Sequence, residues 1–257
     1  MNNNGANISL QKILLLLLIF FIYPFISFSQ SDSTFNIAAP ANTDSLAKKD
    51  LWATQYYIHS FTSSGSIALL DKDNKPLGYF ADTCDFCKAA LEGTAFMKDS
   101  TGKVHVLNYD KTGTKTIVDC RRCKDYKKSK LNVESWGKTL WKISDGFGDG
   151  VKNYKLVPFR TIAVDPDYIP YGSVIYIPQV KGVEFTLHDS TKVKHDGYFF
   201  AGDTGGAIKQ NHIDVFTGVN TDNPFPDFVL SNNKKTCTAY LITDKVIVDQ
   251  LKALHEK

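Results

Sequence analysis

A large excess of charge is missing from this sequence: 30 Lys and Arg stand against 27 Asp and Glu among 257 residues, a formal charge of +3. So small a surplus gives no reason to expect nucleic acid as a partner, although a weakly basic surface suits an acidic polymer. No internal repeat is visible, so no repeat architecture is expected. A long hydrophobic run is missing too. The apolar stretch Ile13 to Tyr23 falls short of the about 20 residues that a spanning helix needs, and Pro24 interrupts it. That speaks against a permanent membrane anchor. No Cys follows the run, which speaks against a lipoprotein. Helical spacing is scarce: only Asp244 to Lys257, with Val246, Val248, Leu251 and Leu254, shows it.

What is present begins with an export signal over residues 1–29. Lys12 precedes the apolar run, and Ser27-Phe28-Ser29 supplies the small-x-small pattern before a cleavage site. Residues 30–50, rich in Ser, Asn, Thr and Ala, read as a flexible linker. From 51 to 257 a single domain of short strands is expected. Ala53 to His59 alternates with aromatics; Ile67–Leu70 and Leu77–Phe80 flank a turn; Ala89–Met97 and Lys103–Tyr109 read as a second hairpin around Asp99–Gly102. Residues 110–155, rich in Lys, Asp and Gly, form part of a surface insertion at about 81–155. Val174–Ile177, Gly182–Leu187, Tyr198–Phe200 and Thr236–Ile242 complete the strands. Many short strands with one late helix point to a mainly all-β closed barrel.

Three aspartates stand at the ends of apolar runs: Ala163-Val164-Asp165, Phe200-Ala201-Gly202-Asp203 and Ile213-Asp214-Val215-Phe216. A carboxylate there is costly unless it is paired, hydrogen-bonded or protonated. One alone reads as a turn residue. Three in one short stretch, two of them joined across Thr204-Gly205-Gly206, suggest a carboxylate cluster at a barrel mouth.

These residues resemble the 3D domain, named for its three aspartates. It is a six-stranded double-psi β-barrel found in the membrane-bound lytic transglycosylase A family and in stand-alone secreted relatives. Ala163 to Pro166 with Ile169 to Ser173, Ala201 to Lys209, and Ile213 to Phe216 carry the resemblance, and Thr54-Gln55-Tyr56-Tyr57 is similar to the opening strand. Gln210 stands where the family usually has Gly. The resemblance implies cleavage of peptidoglycan glycan strands between N-acetylmuramic acid and N-acetylglucosamine, with the C6 hydroxyl attacking its own C1 to leave a 1,6-anhydro end. Such chemistry needs one acid/base, a role that falls on Asp214, with Asp203 and Asp165 in support. Thr54, Tyr56, Tyr57, Thr204, Gly205 and Lys209 are the expected substrate-binding residues. The acid must start protonated, so its pKa must lie above the ordinary ~3.9, raised by burial and a neighbouring like charge. No cofactor or catalytic metal is expected. The chain reads as an exported, periplasmic or extracellular monomer that works on peptidoglycan.

Other residues have plainer readings. Cys84-x-x-Cys87 and Cys120-x-x-Cys123 form disulfides in an oxidising compartment or, as the alternative, a structural zinc site. Cys237 reads as a buried thiol. His188, His195 and His212 fit no metal cage and read as surface residues or as supports for the site. Tyr56, Tyr57, Tyr171 and Tyr198 either stack on sugar rings or pack in the core. Two rival functions stay open: a non-catalytic glycan-binding barrel similar to expansins, and an aspartic protease built on Asp203-Thr204-Gly205. The protease would have to be a dimer, since this chain has one copy of the triplet.

Overall fold

A computed structural model describes residues 35–257. The expected export signal at 1–29 lies outside the described residues. Among those described, no helix is long and apolar enough to cross a membrane.

The chain enters strand β1 (Lys48–Tyr56) and then leaves the barrel. It builds β2 (His59–Thr62), β3 (Ile67–Leu70), β4 (Pro76–Ala81), α1 (Thr83–Glu92), β5 (Thr94–Lys98), β6 (Val104–Thr112), α2 (Val133–Trp136) and β7 (Thr139–Ser144). It returns through β8 (Thr161–Ala163), β9 (Val174–Tyr176), a small hairpin of β10 (Glu184–Thr186) and β11 (Lys192–Lys194), then β12 (Tyr198–Asp203), β13 (His212–Phe216), β14 (Cys237–Ile242) and α3 (Lys245–His255). Six of these strands close into a barrel in the order β1-β13-β8-β12-β9-β14. The connection β8 to β9 crosses β12, and β12 to β13 crosses β8. These two interlocked crossings are the double-psi topology expected. Val164, Ile175, Phe199, Ala201, Ile213 and Val215 fill the interior with little or no exposure.

One charged pair is sealed beside that core. Arg160, 0% exposed, grips Asp196 with two hydrogen bonds of 2.6 Å and gives a third, of 2.7 Å, to the Tyr198 carbonyl. Phe35 lies over the guanidinium at 4.2 Å, and the Ile37 N–H donates to Asp196 at 3.1 Å. Over 35–37 the expected linker is therefore a strap packed on the barrel, and β1 already begins at Lys48. His195 is a correction to the surface reading. It is buried, donates through Nε2 to the Phe159 carbonyl at 2.7 Å and accepts from the Gly197 N–H at 2.9 Å. Burial pushes its pKa down to about 3, so the ring is neutral.

The excursion from the barrel is a compact body with a sheet and a core of its own. Its four-stranded sheet runs β2-β5-β6-β7, with the β3–β4 hairpin alongside. α1 packs through Phe86, Ala89 and Ala90 on a core containing Met97, Leu107 and Trp141. It begins at His59, earlier than the expected 81. The reading of 89–97 as one strand fails at its first half. Lys88-Ala-Ala-Leu-Glu92 is a run of strong helix formers, and Gly93 (φ 78°) ends the helix in a left-handed turn before β5.

The cysteines are paired as Cys84–Cys123 and Cys87–Cys120, each with Cα atoms 5.6 Å apart, tying α1 to the turn at Cys120–Arg122. The zinc alternative has no free thiolates left to ligate metal. Cys237 is buried and free. Closing loops of this length is worth about 4 kcal/mol for the first bridge and less for the nested second. Reduction should therefore lower the melting temperature of the protein by several degrees, while EDTA leaves it unchanged. A melt that drops in EDTA under non-reducing conditions would restore the zinc reading.

Candidate functional site

Register builds the site. β13 runs parallel to β1 with Asp214 opposite Thr54, and antiparallel to β8 with Asp214 opposite Ala163. β12 runs parallel to β8 with Asp203 also opposite Ala163. Directly paired residues point to the same face of a sheet. Thr54, Asp214, Ala163 and Asp203 thus form one row across four strands, and Ala163 leaves the gap between the two carboxyls open. Their strands are two spacings apart, roughly 9–10 Å.

A bulge aims Asp203. The β12–β8 ladder pairs Ala201 with Ile162 and then Asp203 with Ala163, skipping Gly202. A continuous ladder would set Gly202 opposite Ala163 and turn Asp203 to the other face. The extra residue has to be small. A Cβ at Gly202 would meet Phe200 at 3.1 Å and Thr161 at 3.2 Å.

Asp214, Ala163 and Asp203 of this row floor a cleft of about 690 Å³. On the barrel side its walls are Gln55, Tyr56 and the turn Thr204 to Ile208; on the far side they are Leu91 and Glu92 at the end of α1, residues 130–132, and Ser135 and Trp136 of α2. The second body therefore faces the barrel mouth across the cleft. Tyr56 donates its hydroxyl to Asp203 at 2.7 Å, and Thr54 Oγ1 lies 2.8 Å from Asp214 Oδ1.

Three carboxyls here titrate far above the ordinary range. Burial pushes Asp214 up to about 7, offset in part by the Thr54 hydrogen bond and reinforced by the charge of Asp203. Burial likewise lifts Asp203 to about 6, against the Tyr56 and Thr204 hydrogen bonds that favour its charged form. Glu92 is carried highest, to about 8, by burial first and the Asp214 charge second. Near neutral pH the cleft thus holds protonated carboxyl groups, a state suited to giving a proton to a leaving oxygen.

Asp165 is elsewhere. It stays outside the cleft and accepts from the N–H groups of Gln210 at 2.7 Å and Asp167 at 3.1 Å, bonds that hold its pKa low. Gln210 has φ 55°, the left-handed region that favours glycine, which accounts for the glycine usual at that position. Asp165 therefore staples the loop carrying Thr204 to Ile208 into place. Lys209 is exposed and its charge acts on Asp165 rather than in the cleft. Thr204 and Gly205 line the cleft; Tyr57 does not, and faces Lys88 of α1 at 5.3 Å. Of the other tyrosines, Tyr198 is buried with its hydroxyl on the Ala38 carbonyl, and Tyr171 packs against the barrel core. His188 is exposed beside Phe147, away from the carboxyls. His212 is buried, stacked on Trp52 with centroids 3.5 Å apart, and its Nε2 lies 2.9 Å from Thr54 Oγ1. Glu92 and Trp136 were missed by sequence reasoning. The Ala-Leu-Glu-Gly helix ending was the available signal for Glu92; nothing local marks Trp136.

Residues 160–223 match the model of the 3D domain. No curated protein matches the sequence. Among solved structures, the chain is similar to MltA of E. coli with bound chitohexaose (15% identity, TM-score 0.46, 75% of this chain and 71% of that one). It is similar also to a membrane-bound lytic murein transglycosylase from Agrobacterium tumefaciens (13%, 0.46, 77% and 75%). A third is the lytic transglycosylase LtgG of Burkholderia pseudomallei (18%, 0.35, 75% and 71%). The matched residues 160–223 contain four of the six barrel strands, β8, β9, β12 and β13.

The charge of Asp214 is a cause of the high Glu92 pKa, so Asp214→Asn should lower it. Carbon-13 titration of the Glu92 carboxyl measures this. An unmoved Glu92 would mean that the two groups do not face each other across the cleft.

Proposed function

We propose that this 3D-domain chain is a peptidoglycan lytic transglycosylase whose acid and base is Asp214. One observation carries the reading. A carboxyl with a pKa of about 7, at the floor of an open cleft, starts protonated and becomes a base once it has given its proton away. Asp214 protonates the oxygen that leaves C1 of N-acetylmuramic acid, and the bond from C1 to that oxygen breaks. The C6 hydroxyl of the same sugar then closes on C1 and returns its proton to Asp214, leaving a 1,6-anhydro end. No water is consumed, so a second working carboxylate to activate water is not required. Asp203 keeps Asp214 protonated through its charge and is itself held by Tyr56. Asp165 acts at a distance by fixing the loop that forms the cleft wall.

A cleft with both ends of the wall supplied by different bodies suits a polymer lying across it. Trp136 lines the cleft with an aromatic ring, a group that stacks on sugars. The paired disulfides support an oxidising compartment, in keeping with an exported protein whose partner is the glycan strand of the cell wall.

Mass spectrometry of digested cell walls tests the reading: 1,6-anhydro-muropeptides are expected. Reducing-end sugars alone would make the chain a hydrolase, cut peptides a protease, and intact strands that bind the protein a binding barrel. Asp214→Asn removes the proton and should cut the rate by about 10²–10⁴-fold without unfolding the protein. The pH–rate profile should fall as pH rises through about 7, because the protonated form is the active one. Asp203→Asn removes a charge that disfavours ionised Asp214, so its alkaline limb should move to lower pH. A limb that stays in place would leave Asp203 with a purely structural part.

A further inference from the structure

The Thr54 hydroxyl has one hydrogen and two partners within reach. Oγ1 lies 2.8 Å from Asp214 Oδ1 and 2.9 Å from His212 Nε2. Strand register enforces both contacts, since β1 pairs Trp52 with His212 and Thr54 with Asp214. Trp52 holds the imidazole flat against it, with rings 3.5 Å apart and inclined by 7°. His212 is 8% exposed. With Nε2 turned to Thr54, a neutral ring that carries its hydrogen on Nδ1 leaves Nε2 as an acceptor. Burial depresses the His212 pKa and keeps the ring neutral.

We propose that His212 carries its ring hydrogen on Nδ1 and that Thr54 is a switched donor controlled by it. While Asp214 is a neutral acid, its Oδ1 is a weak acceptor and the Thr54 hydroxyl points to His212 Nε2. When Asp214 gives its proton to the leaving oxygen, Oδ1 becomes half of a carboxylate, a stronger acceptor than the imidazole. The hydroxyl then rotates to Asp214. Thr54 keeps its own proton throughout; the only proton that travels leaves Asp214 and comes back from the C6 hydroxyl. Support that appears only after the charge has formed lowers the barrier without acidifying the resting acid. His212 is therefore a positioning residue for the proposed reaction, acting through Thr54. This inference rests on Asp214 being the acid.

Besides His212, the titratable groups around Asp214 are Asp203 on β12, Tyr56 on β1 and Glu92 at the end of α1. The two substitutions should move Asp214 in opposite directions. Thr54→Val removes the donor that favours the carboxylate and should raise the Asp214 pKa by on the order of one pH unit. His212→Phe keeps a ring against Trp52 but removes the competing acceptor. It frees the hydroxyl for Asp214 in both states and should lower the pKa. The double variant should match Thr54→Val, since His212 has no other route to Asp214. His212→Gln, whose amide oxygen still accepts, should return the pKa toward that of the unaltered protein.

Carbon-13 titration of the Asp214 carboxyl in the folded protein without substrate reads each shift, and the alkaline limb of wall cleavage reads it again. His212→Leu replaces His212→Phe if the latter does not fold. Shifts of the same sign in the two single variants, or a double variant that differs from Thr54→Val, would overturn the switch. The carboxyl titration is independent of turnover, so the switch can stand or fall whether or not anhydro products are found. Absence of those products would count against the proposed function alone.

Discussion

The parallel pairing of β1 with β13 is the constraint on which the site depends. It places Thr54 against Asp214 and Trp52 against His212 in a single register. A slip of one residue would send Asp214 into the barrel core and Ile213 to the cleft. The apolar residues that flank Asp214 prevent that slip. Ile213 and Val215 are wholly buried on the core face, each far more stable there than in water. The acid thus stands where it does because its neighbours cannot stand elsewhere.

Burial, more than the neighbouring charge, sets the chemistry. It is the first cause of the raised pKa at Asp214, Asp203 and Glu92 alike. The end of α1 and the segment from 130 to 136 form the far wall of the cleft that holds the carboxyls. Two disulfides fasten the start of α1 to the turn at Cys120–Arg122, and that helix carries Glu92 at its other end. The second body is in this sense part of the cleft wall.

Hydrogen bonds then separate groups that burial treats alike. Tyr56 and the Thr204 N–H hold Asp203 lower than Asp214, so Asp203 ionises first and its charge acts on a partner that is still protonated. Asp165, half-buried and bound by two backbone N–H groups, goes the other way and remains a carboxylate that anchors a loop. Three aspartates that look equivalent along the chain thereby take three distinct states.

Local pattern was enough for the barrel strands β1, β9, β12 and β14, the C-terminal helix, and the costly setting of Asp203 and Asp214. Alternation, Gly-rich turns and an apolar setting are written into short windows, and the three-aspartate motif is specific. Asp214 could be singled out because Ile213, Val215 and Phe216 beside it already imply burial. Short windows were insufficient for α1, where ten residues of mixed pattern fit a strand as well as a helix until the disulfides and the core beneath are known. Glu92, Trp136 and His212 meet the site only through pairings between distant segments, and no window contains both partners. The bulge at Gly202 belongs to the same class, because an irregularity in a ladder exists only between two strands. Sequence by itself determined which carboxyls would be costly to bury. Tertiary structure decided which of them face one another, since distance across a barrel is set by strand order and register and not by separation along the chain.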